Sequence, residues 1–189
     1  MRISVRCCVA MASKRPSTCE PMTSRDRTVL IDTNVIIASW RAGVWKALAG
    51  GCRMETVAEV FVESQTGFTG RSAEDRIDPD VLAADLAAVH PVGDAERAAL
   101  ALREPLAAHL DEGERMLWAH ALARDDAWLL CGPDGASLRI GVRLGLAESL
   151  VSLEALLRAV GEKPRLPGNF TEEWHRRKIG EFKAMEGKW

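Results

Sequence analysis

No stretch of the 189-residue chain approaches the roughly 18 consecutive apolar residues that a membrane-spanning helix requires, which points to a soluble protein. Cysteine is sparse and unpatterned. Cys7, Cys8, Cys19, Cys52 and Cys131 form no CxxC pair and have no spaced histidine companions, so neither a disulfide framework nor a zinc module is supported. A reducing cytoplasm is the plain reading. No GxGxxG or Walker sequence is present, and Ser137 has no nucleophile-elbow context. His90, His109, His120 and His175 are scattered, and none is marked as a catalytic base. There is no internal repeat and no low-complexity segment.

What the chain does have is hydrophobic content of 47%, enough to build the core of one domain of ordinary size. Its formal charge of -2 conceals an uneven distribution. Residues 1–27 carry six basic and two acidic groups, and residues 161–189 carry seven and five. The stretch between them holds 12 basic and 20 acidic groups. An acidic middle argues against a simple basic-groove nucleic-acid binder and suits a carboxylate-lined site. The opening MRISVRCCVAMAS is Arg-rich, but Ser4 and Arg6 break its apolar stretch too early for a secretory signal. An organellar transit segment is one reading; the preferred one is a disordered extension over residues 1–26, with Met22 an alternative start. The domain is expected over 27–160 and a basic, helical tail over 161–189.

Thr28–Ile31 is a short apolar run of the kind found in buried parallel strands. Further strands are expected at Arg53–Val57, Trp128–Cys131 and Leu150-Val151. Asp32-Thr33-Asn34 followed by Val35-Ile36-Ile37 reads as a turn into a helix, and further helices are expected at 58–66, 95–102, 111–124 and 135–144, with another at 153–160. Gly67 to Asp78 reads as a loop. Pro79 suits the first position of a long helix with Val81, Leu82, Leu86 and Val89 on one face. Alternating strands and helices imply a three-layer α/β/α fold around a mainly parallel sheet.

In such folds ligands gather beyond the carboxyl ends of the strands, and acids fall there repeatedly. Asp32 follows the first strand, Glu59 opens the helix after the second, and Asp134 follows Trp128–Cys131 by a Gly-Pro turn. Glu114 lies in the first turn of the preceding helix. Each acid has a local explanation. Asp32 suits an N-cap, Thr56 with Glu59 and Asp111 with Glu114 have capping-box spacing, and Gly-Pro-Asp-Gly is turn chemistry. Capping does not by itself require strand-end placement each time. Carboxylates converging on one point raise one another's pKa unless a cation sits among them, and Mg²⁺ or Mn²⁺ is the natural occupant.

Four segments in order resemble the PIN-domain nucleases. They are Val29–Val35 with Asp32, Thr56-x-x-Glu59-Val60, Gly113-Glu114 with Leu117 and Ala119–Ala123, and Leu129–Arg139 with Asp134 followed by Arg143–Leu146. The resemblance spans residues 28–160. Gly132-Pro133 departs from it, since a hydroxyl or second acid usually precedes the last aspartate. Glu55 and Glu63 flank Glu59 as alternatives, and Asp111 and Glu112 flank Glu114 in the same way.

The resemblance implies metal-dependent hydrolysis of RNA phosphodiesters. Asp32, Glu114 and Asp134 would hold Mg²⁺ or Mn²⁺, Glu59 would complete the acidic set, and Thr33 and Asn34 would orient a water or phosphate oxygen. It also implies a stand-alone toxin-type endoribonuclease with an inhibitory antitoxin partner, and a homodimer. Arg139 and the run Arg176-Arg177-Lys178, beside Trp174, could contact RNA or simply form a solvated helix face. Two other functions compete. A binding module of weak or lost activity is kept as an alternative because of Gly132-Pro133. A phosphatase-like enzyme with Asp32 as nucleophile would usually have a second Asp where this chain has Asn34.

Overall fold

A computed structural model of the chain describes residues 28–66 and 77–187. The extension at 1–26 and most of the expected loop at 67–78 lie outside the described residues. The five strands are β1 (Thr28–Ile31), β2 (Arg53–Val57), β3 (Ala88–His90), β4 (Trp128–Cys131) and β5 (Leu150–Val151). They form a single sheet in the order β3-β2-β1-β4-β5, and every pairing is parallel. β1 is central and wholly buried, paired Leu30 to Glu55 on one side and Ile31 to Cys131 on the other.

The helices are α1 (Thr33–Arg41), α2 (Trp45–Gly51), α3 (Ala58–Thr66), α4 (Pro79–Asp85) and α5 (Asp94–Arg103), then α6 (Glu112–Ala123), α7 (Gly135–Arg143), α8 (Leu153–Ala159) and α9 (Glu172–Glu186). The fold is the three-layer α/β/α arrangement expected from the alternation of elements. The chain steps outward from β1 through β2 to β3, then returns across the sheet to β4 and β5. Right-handed crossovers therefore place the helices before β3 and those between β3 and β5 on opposite faces, with α3 packing against both α1 and α6 where the two layers meet. The direction of winding reverses between β1 and β4, so a crevice opens where those two strands end.

One expectation fails. The segment from Pro79 is not one long helix: α4 ends at Asp85, and Ala88–His90 form the edge strand β3. Leu82 is fully buried, as the helical pattern requires, whereas Val89 is 37% exposed on the strand. Two local causes act. Asp85 is fixed by Trp45 Nε1 at 2.8 Å and Lys46 Nζ at 2.7 Å, and Pro91 holds His90 in extended backbone.

The core is continuous across both faces, and Trp118 is its largest fully buried side chain. The indole donates to Ser137 Oγ at 2.9 Å and meets Trp128 edge-on at 6.2 Å. Gly141 leaves the space this needs: a Cβ there would lie 2.8 Å from Leu150 and 3.0 Å from the Trp118 ring. The chain after residue 160 also folds onto the domain. Phe170 and His175 are buried, and Glu186 near the end of α9 pairs with Arg139 and Arg143 of α7 at 2.8 and 2.7 Å. Among the described residues, no helix is long and apolar enough to cross a membrane. Cys52 and Cys131 are both buried.

Candidate metal and phosphate site

The polypeptide leaves β1 through Asp32, whose amide still bonds Cys131 O of β4 at 3.1 Å. The aspartate is thus held against the mouth of the crevice. Its side chain caps α1, accepting from the Asn34 amide and from Asn34 Nδ2, both at 3.2 Å. Asp32 is 3% exposed, and burial pushes its carboxyl up to about 6 against the pull of those Asn34 donors. Glu114, 5% exposed in the first turn of α6, is pushed further, to about 9. Burial is the largest cause, followed by the charges of Asp134, Asp32, Asp111 and Glu63. Four carboxylates from α3 and from the caps of α1, α6 and α7 thus act on Glu114.

Capping and convergence prove compatible. Asp111 caps α6 through the Glu114 amide at 2.8 Å, and Asp134 caps α7 through the Ala136 and Ser137 amides at 2.6 and 3.2 Å. The Glu114 carboxyl itself is not spent on a cap. Asp134 is exposed, so the site runs from buried Asp32 and Glu114 to a solvent-facing rim.

The second acidic segment is arranged differently from the expectation. Glu59 points to α5 and pairs with Arg97 at 3.1 Å, while its other oxygen is buried without a hydrogen-bond partner. Glu63, one helical turn on, accepts from Thr33 Oγ1 at 2.8 Å and acts on Glu114. Gly113 makes room for it, because a Cβ there would lie 2.7 Å from Glu63 Oε2. Thr33 and Asn34 are therefore committed to carboxylates, the first to Glu63 and the second to Asp32.

The basic residues singled out in the sequence are mostly neutralised. Arg139 pairs with Glu186 at 2.8 Å, while Arg177 and Lys178 share Glu181 at 2.7 and 2.8 Å. Arg176 is exposed and acts on Glu172, which also pairs with Arg158.

Two of the four histidines, His90 and His120, form a second polar cluster with Glu55. His90 Nε2 lies 2.8 Å from Glu55 Oε2, and the His90 and His120 rings stack at 4.2 Å. Among the described residues these three bring their ligand atoms within 4.8 Å of one another, a possible metal-binding group. One carboxylate with two imidazoles is a set for zinc-like metals rather than Mg²⁺. Arg124 already occupies it, bonding Glu55 Oε2 at 2.7 Å and His120 Nε2 at 3.1 Å. Burial pushes the Glu55 carboxyl up, but bonds from His90, Arg53 and Arg124 outweigh it and hold the group below its ordinary range. Nothing in the spacing of residues 55, 90, 120 and 124 announces this cluster; it depends on β3, which sequence patterning missed.

The carboxylates around Glu114 do not form so tight a set. They are an open, all-oxygen group, which fits a hard cation that retains some of its own waters. No protein-family model matches the chain, and comparison with curated proteins likewise finds no match.

Proposed function

We propose that this protein is a metal-dependent ribonuclease with a PIN-like site at the crevice between β1 and β4. One observation carries the reading: Asp32 and Glu114 are buried together at that crevice, and Glu114 is held protonated to about 9. The ionised form of such a buried carboxyl costs free energy unless a cation compensates it, and the oxygen-only donor set selects Mg²⁺ or Mn²⁺. When bound, such a cation lowers the pKa of a water and offsets charge on a phosphodiester in line for displacement. Asp32 and Glu114 would hold it from within, and Asp134 from the rim. Glu63, oriented by the Thr33 hydroxyl, supplies the fourth carboxylate in place of Glu59. Asn34 keeps Asp32 in one rotamer. The net acidity of residues 28–160 repels RNA until the cation is present, so metal and substrate are expected to bind cooperatively. A toxin-type role with an inhibitory protein partner in the cytoplasm is the finer form of this proposal.

The test uses labelled single-stranded and structured RNAs with Mn²⁺, Mg²⁺ or EDTA. Cutting is expected with either metal and none with EDTA. Metal affinity without turnover would instead identify a binding module. Replacing Glu63 by Gln is expected to slow cleavage about 10- to 100-fold, whereas Glu59→Gln stays within a few-fold of the parent. If the two variants exchange these behaviours, Glu59 is the fourth carboxylate and the Thr33–Glu63 contact is only structural.

A further inference from the structure

Two clefts flank the carboxylates, and they differ in the charged groups that line them. One, of about 490 Å³, is lined by Glu59, Glu63 and Glu112 and contains no cation among its described residues. The other, of about 420 Å³, lies between α1, the Pro133-Asp134 turn and the segment from Arg165 to Phe170. Asn34 and Asp134 form its floor toward the metal site, and it holds two guanidinium groups, Arg41 and Arg165. We propose that this second cleft holds one unpaired nucleotide of the RNA next to the scissile bond, with Arg41 and Arg165 on its phosphates. This rests on the reading of the carboxylates as a nuclease site.

Three features favour that occupant. A polyanion is drawn to the cleft with the guanidiniums and repelled from the one with three glutamates. The volume suits a small ligand or a single nucleotide, and a duplex cannot enter it. The wall is also built rather than loose. Pro164 and Pro167 restrict the backbone on both sides of Arg165, Phe170 is buried in the core, and Thr171 caps α9 through the Trp174 amide. The Arg165 side chain remains exposed at the rim. The segment lies outside the stretch that resembles PIN domains, so the resemblance says nothing about it.

Steady-state cleavage and fluorescence anisotropy test this together, the latter on protein with its carboxylates intact, in Mn²⁺, and a labelled single-stranded phosphorothioate RNA chosen to resist cutting. Arg165→Ala is expected to raise KM about tenfold with kcat nearly unchanged and to weaken binding by a similar factor. It should also reduce the slope of log affinity against log salt by about one. Arg41→Ala should act in the same direction, Arg165→Lys should recover most of the loss, and a duplex of the same sequence should bind at least tenfold more weakly. If the parent cuts RNA while both alanine variants keep its KM and affinity, or if duplex binds equally well, the cleft assignment is wrong and the nuclease stands. If folded protein neither cuts nor binds single-stranded RNA with Mn²⁺, both fall.

Discussion

Replacing Asp32 by Asn is expected to abolish RNA cleavage, by at least about a thousandfold, while leaving the fold in place. The two halves of this expectation have separate causes. Structurally, Asp32 caps α1 through a side-chain oxygen, and Asn presents an oxygen of the same reach. The substitution also removes a carboxyl that burial already pushes up to about 6, so the metal-free variant should melt no lower than the parent. Chemically, the neutral amide withdraws a charge from the inner end of the site, where a cation must be held against the phosphate. A thousandfold corresponds to about 4 kcal/mol of transition-state stabilisation. The checks are the cleavage rate in Mn²⁺, the circular dichroism spectrum and Mn²⁺ affinity by calorimetry. Cleavage at the parent rate would remove Asp32 from the site.

Glu114 should dominate the pH dependence of stability in EDTA. Its carboxyl releases a proton near 4.5 in the unfolded chain and near 9 in the folded one. Between those values the folded state binds the extra proton, so stability falls as pH rises, by about 1.4 kcal/mol for each unit. Asp32 adds to the decline only up to about 6. Glu114→Gln cannot ionise, and its melting temperature is expected to stay nearly flat from pH 6 to 8 while that of the parent drops by several degrees. At pH 8 the variant should therefore be the more stable protein and yet cut no RNA. Mn²⁺ at pH 8 should raise the melting temperature of the parent, with release of about one proton, and leave the variant nearly unmoved. Parallel pH profiles for the two proteins would show that Glu114 is not the strained acid.

How much of this was legible in the sequence depended on whether the cause was local. Thr28–Asp32 announced itself because an apolar run followed by Asp-Thr-Asn carries both the strand and its end. Asp111, Glu114 and Asp134 were legible for the same reason, as acids at helix starts. β3 was hidden because Leu82 and Leu86 keep helical spacing across the point where the helix stops, and the partners that take over are distant in sequence: the Ala87 amide bonds Met54 O of β2 at 2.8 Å, and Asp85 is held by Trp45. The choice between Glu59 and Glu63 was equally out of reach. Both stand on one face of α3, four residues apart, and Arg97 and Thr33 decide which way each turns. Arg165 was passed over because its value lies in the cleft it borders, while the conspicuous Arg176-Arg177-Lys178 run lies outside that cleft and is partly neutralised by Glu181.

The sheet ends abruptly on both sides, in three residues at β3 and two at β5. Such stubs expose too few unpaired amides and carbonyls to template another chain, and Pro91 removes the next amide on the β3 side. Continuation of the sheet from one copy of the protein into the next is therefore a poor route to self-association. Among the described residues the helix faces offer more surface for a contact between copies than the sheet edges do, and edge-to-edge aggregation through β3 or β5 should be rare even when the protein is concentrated.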